Sequence, residues 1–519
     1  MGVTDKDTDA FAPSLRPEGR ADGRARRALL VAPRAALVAL GICFVVRGLL
    51  YATGTRFSTA YLTYGWQIVP AETLARDPFG SVWYLHIQPP LFNLMTGVLL
   101  RWSPFSVGIT FQVVYLAMVA LLIVVSQDLF VRLGASPAVA AAITVFVFCD
   151  PDWLRYELTP QYEVPVALLV VVAVWAIVRL ADAPSRRGWL ALSAIVTGIV
   201  LTRSLFHPIW LVAVFALVVW WLRGRWGWRD LALAIAVPVV LIGGWMVKNQ
   251  VLFGDATLSS WFGMNLQRAV IAPLKPAQLD RLVADGSVSE LATVPPFSSY
   301  SDYEPLVEPC SPDQHHDAVD ASARANGGPN FNFQCYLPIY GQLAGDARTA
   351  IRAEPGRYVY GRWWALRDNF SRGFVQVGAE PEDSHAVFHL LDDLYRFPML
   401  DVPVHLSLSD WALPLVPAPY LAIKLGLTLV AFAIWAVYAM GRDGWRLARG
   451  RAAPGDLARF VATFTVFWVI VVGALFEIGE NARFRIMVQP LLVGLPLVAL
   501  SRVIARRRQS APTEPTLEP

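Results

Sequence analysis

The chain predicts an all-α, polytopic membrane protein of about ten transmembrane helices, on three observations. Of its 519 residues 55% are hydrophobic and only 16% charged, with a mean hydropathy of +0.45. Soluble globular chains carry about 25% charged residues, so much of this surface faces something other than water. Apolar runs close to bilayer-spanning length recur along the sequence. Dense arginine clusters fall in alternate loops between those runs, as the positive-inside rule requires. Nineteen tryptophans fit the same class, because Trp favours bilayer interfaces. The net charge of +4 is small, and no basic face of the nucleic-acid-binding kind is present. The lipid bilayer is an expected partner and nucleic acid is not.

Residues 1–28 are polar, carry Arg16, Arg20, Arg24, Arg26 and Arg27, and read as a disordered cytoplasmic tail. The run Leu29–Tyr51 exceeds the roughly 7–15 residue core of a signal peptide and reads as a retained first helix. Nine further spans are expected at 106–129, 137–149, 163–180, 188–204, 208–223, 230–247, 418–440, 457–476 and 485–502. With the N-terminus inside, every dense arginine cluster lands inside: Arg132; Arg179, Arg186 and Arg187; Arg223, Arg225 and Arg229; Arg442, Arg446, Arg449 and Arg451; Arg502, Arg506, Arg507 and Arg508. This holds only if 89–103 is an interfacial helix rather than a span. The chain thus divides into an N-terminal transmembrane module, 29–247, containing a long outer loop 52–105; an extracytoplasmic segment, 248–417, placed before the last three helices; C-terminal transmembrane helices, 418–502; and a cytoplasmic tail, 503–519. The 248–417 segment is large enough for a small domain, and 341–368 within it has an amphipathic helical pattern broken at Pro355. Cys310 and Cys335 lie in that segment and can bridge if it is exported. Cys43 and Cys149 lie in apolar runs and read as small buried hydrophobes.

Unusual polar residues converge on the outer turns. In Ser81–Leu91, His86 and Gln88 precede a Pro89-Pro90 step that fixes two φ angles and holds Gln88 extended. His86 then either contacts a ligand or caps an interfacial helix. Glu72 and Asp77 are the acids of that loop. Asp150 and Asp152 stand at the end of a span, suited to acid–base work or cation binding, or simply to solvating a loop beside Arg155. Glu163 begins an apolar helix and needs a partner. Arg203 and His207 sit between two apolar runs, where a guanidinium suits an anion such as phosphate. The turn Glu477–Arg485 alternates charge at a helix mouth. No Walker-type phosphate loop is present, which argues against an ATP-driven pump, and neither HExxH nor CxxC occurs. His315-His316 between Asp313 and Asp317 reads as a metal pair or as a polar loop.

The order of a first helix, a long outer loop ending in His86-x-Gln88-Pro89-Pro90-Leu91, many spans and a late Glu480-Asn481-x-Arg483-Phe484-Arg485 resembles the GT-C integral-membrane glycosyltransferases. The likeness is to the branch of dolichyl-phosphate-mannose protein mannosyltransferases and lipid A aminoarabinose transferases, and it covers about residues 29–502. It implies a GT-C-like fold and transfer of a hexosyl or pentosyl group from a polyprenyl-phosphate-linked sugar donor to a hydroxyl on a lipid, glycan or protein acceptor at the outer face. It also implies a carboxylate soon after the first helix, where this chain reads Thr55–Tyr61 without an acid. The base is then expected from Glu72, Asp77, Asp150, Asp152 or Glu163. Donor phosphate or substrate binding is expected from His86, Gln88, Arg203, His207, Glu480, Asn481, Arg483 and Arg485. No metal and no cofactor is expected, because fixed cations can neutralise a monophosphate leaving group. The alternative is a transporter or flippase of a lipid-linked or anionic substrate. The Ala/Arg/Val-rich, Lys-poor composition is that of a high-GC bacterium, and the expected location is the plasma membrane, a bacterial inner membrane, with both termini cytoplasmic.

Overall fold

The structure, a computed structural model, describes residues 22–222, 227–372, 385–405, 410–414 and 422–510, with backbone only at 22–32, 385, 405 and 422–423. The expected tail 1–28 and the C-terminal tail lie largely outside these residues. Ten helices occupy the ten apolar runs: α1 (Asp22–Ala52), α2 (Val107–Arg132), α3 (Pro137–Phe148), α4 (Glu163–Asp182), α5 (Arg186–Thr202), α6 (Pro208–Trp221), α7 (Trp228–Phe253), α8 (Leu427–Ala448), α9 (Pro454–Phe476) and α10 (Gln489–Ser510). Six of them, α1, α2, α4, α7, α9 and α10, are long and apolar enough to cross a bilayer. A seventh span is made if α3 and the short helix Pro151–Glu157, bent by 64°, are one broken crossing. The chain is therefore a multi-pass membrane protein.

The expected count of ten full spans is not reached among the described residues, for two reasons. Helices α3, α5 and α6 have 12, 17 and 14 residues; at about 1.5 Å per residue, 12 residues reach only about 18 Å of a roughly 30 Å hydrocarbon core. Helix α8 carries Arg442, Asp443 and Arg446 in its last turns. It also starts later than the expected 418. The backbone before it is strand β3 (Ala422–Gly426), which pairs antiparallel with β1 (Ser371–Arg372) and β2 (Asp401–His405) in the order β1-β3-β2. The fold is thus nearly all-α rather than all-α. β-Branched Val402, Val404 and Ile423 suit the pleated backbone there.

The helix ends sort into two faces. At one, Asp128 at the end of α2 accepts from Arg132 and from Trp175 of α4, Arg186 of α5 meets Asp230 of α7 at 3.4 Å, and Arg459 of α9 pairs with Asp443 of α8 at 2.5 Å. Every described arginine cluster gathers at this basic end; Arg223 and Arg225 lie outside the described residues. At the other end lie loop 53–106, the 149–162 turn, the 203–207 turn, the described parts of 254–421 and the turn 477–488. Between the ends the helices pack closely. A Cβ at Gly494 of α10 would run into the Phe130 ring of α2, the kind of backbone approach that small residues permit between membrane helices. Cys43 and Cys149 are buried with their sulfurs 3.8 Å apart.

The loop end is built rather than loose. Residues 90–101 form a helix, Pro90–Arg101, too short to span and packed on the helices Ala71–Arg76 and Pro78–Trp83. The amphipathic 341–368 stretch is two helices, Tyr336–Ala353 and Pro355–Asp368, with Pro355 opening the second, where its missing N–H costs nothing. Leu266, Ile271, Leu279, Leu282 and Trp364 give this region its own apolar cluster, and Cys310 and Cys335 are bridged.

Candidate functional site

The His86–Pro90 stretch is clamped from three directions. Pro89 precedes and Pro90 begins the helix Pro90–Arg101. Lys248 at the end of α7 donates to the Leu85 carbonyl at 2.7 Å, Ser259 donates to the Ile87 carbonyl at 2.5 Å, and the Ser260 amide donates to the His86 carbonyl at 3.0 Å. His86 is buried. Its Nε2 lies 2.9 Å from the Asn332 carbonyl, so that nitrogen carries the proton and Nδ1 accepts from Ser260 at 2.6 Å. Burial pushes its pKa down to about 3, which keeps the ring neutral. His86 is therefore committed to holding loop 257–260, and Gln88 is the residue of this motif that reaches open space.

That space is a cavity of about 590 Å³ between the 203–209 turn, the end of α7, loop 256–265 and the end of α9. Its walls are apolar, and Ile209, Phe262 and Phe476 on its edge are also exposed on the outside of the protein. Arg203 and Gln88 line it, and each has a buried donor, Arg203 Nε and Gln88 Nε2, without a hydrogen-bond partner among the described residues. The Arg203 guanidinium stacks on Tyr162 at 3.9 Å and gives one N–H to Gln67 at 2.8 Å. Among the described residues it has no carboxylate within 4.0 Å. A buried guanidinium with no carboxylate in direct contact, beside an unfilled amide donor, is costly unless an acceptor-rich group binds there. His207 also lines the cavity and caps α6 through Nδ1.

Glu477 supplies a carboxylate to the same cavity. Its Oε1 accepts from Arg268, carried on a π-helical turn at Gln267–Ile271, and from the Ile478 amide; no described residue hydrogen-bonds Oε2. Burial raises the Glu477 pKa against the opposing pull of Arg268. At Glu480 burial also acts upward, but Arg483, Arg268 and Arg203 together outweigh it and leave the pKa lowered. Two carboxylates three residues apart are thus pushed in opposite directions, a pattern that separates an acid–base group from a permanently charged one.

The other candidates are distributed as follows. Arg483 is paired with Glu163 and with Glu480, and donates to Tyr61. Arg485 pairs with Asp152 at 3.1 Å, and Arg372 of β1 pairs with Asp150 at 3.1 Å and Asp401 at 3.1 Å, with Gln489 bridging Asp150 and Arg485. Glu163, Asp150 and Asp152 are all buried in these pairs and none lines the cavity. Asn481 is buried and its backbone N–H donates to Asp368. Asp77 is exposed, caps the helix Pro78–Trp83 and lies 3.7 Å from His316; Glu72 accepts from the Ala325 amide. Neither lines the cavity. Among the described residues no group of three or more His, Cys, Asp or Glu could hold a metal ion.

Arg268 and Gln67 were not singled out by sequence, because they come from stretches with no distinguishing pattern; Glu477 opened the charged 477–485 turn, and Trp261 stood in the Ser259–Asn265 stretch after Lys248-Asn249.

No protein-family model and no curated protein matches the chain. Solved structures do. Archaeal oligosaccharyltransferase AglB from Archaeoglobus fulgidus, in complex with an inhibitory peptide and a dolichol-phosphate, is similar at 13% identity and a TM-score of 0.40, over 95% of this chain and 53% of that one. The apo form of the Archaeoglobus fulgidus oligosaccharyltransferase is similar at 12% identity and a TM-score of 0.38, over 93% and 52%. ArnT from Cupriavidus metallidurans, bound to undecaprenyl phosphate, is similar at 16% identity and a TM-score of 0.29, over 95% and 81%. The chain spans about half the length of the oligosaccharyltransferases.

Proposed function

We propose that the chain is a GT-C-type glycosyltransferase that moves a sugar from a polyprenyl-phosphate donor to a hydroxyl acceptor at the outer face of a plasma membrane. The observation that carries this reading is the 590 Å³ cavity: apolar walls reaching the protein surface, lined also by Arg203 and Gln88, whose Nε and Nε2 have no partner among the described residues. An isoprenoid tail suits the walls, and a phosphate suits the two donors. The gathering of the arginine clusters at the opposite end supports placing this end outside.

In the reaction, the bond between the anomeric carbon and the phosphate oxygen breaks and its electron pair stays on the phosphate, held by Arg203 and Gln88. The acceptor oxygen bonds to the anomeric carbon from the opposite face, inverting it, and its proton passes to Glu477 Oε2. Glu480 stays ionised and, with Glu163, balances Arg268 and Arg483 around the site. The ion-paired Asp150, Asp152 and Glu163 then serve to position the loops.

The test is transfer from radiolabelled polyprenyl-phosphate sugars to cell-envelope acceptors by the purified protein in nanodiscs. Arg203→Ala should lose at least tenfold in donor affinity, about 1.4 kcal/mol, and Arg203→Lys should not restore it, because an ammonium cannot reproduce the planar fork. No transfer with any donor, together with accelerated lipid movement across vesicles, would instead establish the flippase.

A further inference from the structure

A second cavity, of about 530 Å³, lies on the far side of loop 254–263 from the first. Thr257, Ser259 and Phe262 line both, so the two spaces are back to back across one stretch of chain. Their chemistry differs. The first is walled by apolar helix ends. The second adds Asp255, Ser260, Tyr340 and Arg348 to the shared hydroxyls, and lies beyond the end of α7 against the helix Tyr336–Ala353. Arg348 is exposed and makes no ion pair among the described residues.

We propose that this second cavity is the acceptor subsite and that it takes a polyhydroxylated, glycan-type acceptor. The inference rests on the transferase reading for the word acceptor, and on the cavity alone for the ligand class. The Asp255 carboxylate accepts, the Arg348 guanidinium donates, and the Thr257, Ser259 and Ser260 hydroxyls, whose hydrogens go to Asp255, Ile87 and His86, offer lone pairs to sugar hydroxyls; Phe253 and Phe262 add apolar lining. The volume is within the roughly 300–1,000 Å³ of ligand sites. The partition is placed for the chemistry. Ser259 and Ser260 tie its middle to Ile87 and His86, whereas Phe262 is 41% exposed and packs on Phe476 at 5.6 Å, the residue before Glu477. A hydroxyl that passes Phe262 enters the first cavity, which Glu477 also lines. Close packing fixes the rest of this wall: a Cβ at Gly263 would fall on the Tyr340 carbonyl oxygen.

Gly341 gives a clean test, because it lines this cavity and a Cβ there meets nothing within 4 Å. Gly341→Phe should fill the cavity without disturbing the fold. Full-length protein in nanodiscs would be titrated with arabinose-, mannose- and galactose-based oligosaccharides by saturation-transfer NMR, and separately with undecaprenyl phosphate by native mass spectrometry. We expect at least one oligosaccharide to bind the wild type, at least tenfold weaker binding in Gly341→Phe, a smaller loss in Arg348→Ala, and unchanged lipid affinity and melting temperature in both. Equal oligosaccharide binding in Gly341→Phe overturns the location, and no oligosaccharide binding to the wild type overturns the ligand class. Loss of lipid binding as the only failure strikes the donor reading and leaves this cavity as a glycan site.

Discussion

At the scale of single residues, the decisive contrast among Arg203, Arg483 and Arg485 is that two have carboxylates in contact and one has none among the described residues. Arg203, Arg483 and Arg485 look alike in sequence, each at a helix mouth. The fold gives Glu163 and Glu480 to Arg483, Asp152 to Arg485, and only Gln67 and two aromatic faces to Arg203. Glu163 and Asp152 lie more than three hundred residues from Arg483 and Arg485 and leave no local trace, which is why sequence could name all three arginines but not rank them. The same applies to the carboxylates. Glu477→Gln should lower kcat by about 10²–10⁴, the range for a general base, with little change in donor affinity. Wild-type transfer should rise with pH through a pKa above the usual carboxylate range, because burial raises Glu477 and the base must be deprotonated; that limb should vanish in the variant. His86 supplies a stability test. Its pKa is 6.5 unfolded and about 3 folded, so below pH 6.5 the unfolded state binds the extra proton. Thermal stability should therefore fall as pH drops from about 6.5 towards 3. His86→Gln should show a shallower fall.

At the scale of elements, the His86–Pro90 stretch was legible as a rigid turn, because a Pro-Pro step dictates its own geometry. The short helix at 90–101 and the break at Pro355 were legible for the same local reason. The sheet was not. Its strands are two and five residues long, and β3 follows directly into α8, so its apolar residues merge with the helix pattern. That sheet delivers Arg372 to Asp150 and Asp401, next to the Arg485–Asp152 pair. Removing one member of a buried pair leaves a charge uncompensated and costs about 3–5 kcal/mol. Asp152→Asn should thus lower the melting temperature sharply, while Asp77→Asn, at an exposed helix cap, should cost about 0.5–2 kcal/mol or less. Equal, small effects from both would remove the structural role assigned to the buried network.

At the scale of the whole molecule, the ten helix positions and the segregation of arginine to one end were written in hydropathy and charge, which are properties of sequence alone. The span count was not, since whether a 12- or 14-residue helix crosses depends on what it packs against. Topology has a direct check: a cysteine placed at the exposed Ser301 should react with an impermeant reagent from outside, and one at the exposed Ser185 only after permeabilisation. The assembly of the cavity from loop 1, the 203–207 turn, loop 256–265 and the 477–485 turn is a tertiary fact that no single stretch announces. The most direct test of that assembly is a cryo-electron microscopy map of the protein in nanodiscs saturated with undecaprenyl phosphate. The account expects phosphate density within hydrogen-bonding distance of Arg203 Nε and Gln88 Nε2, with the isoprenoid tail leaving past Ile209 and Phe476. An empty cavity at saturating lipid, or a phosphate bound elsewhere on the protein, would contradict it.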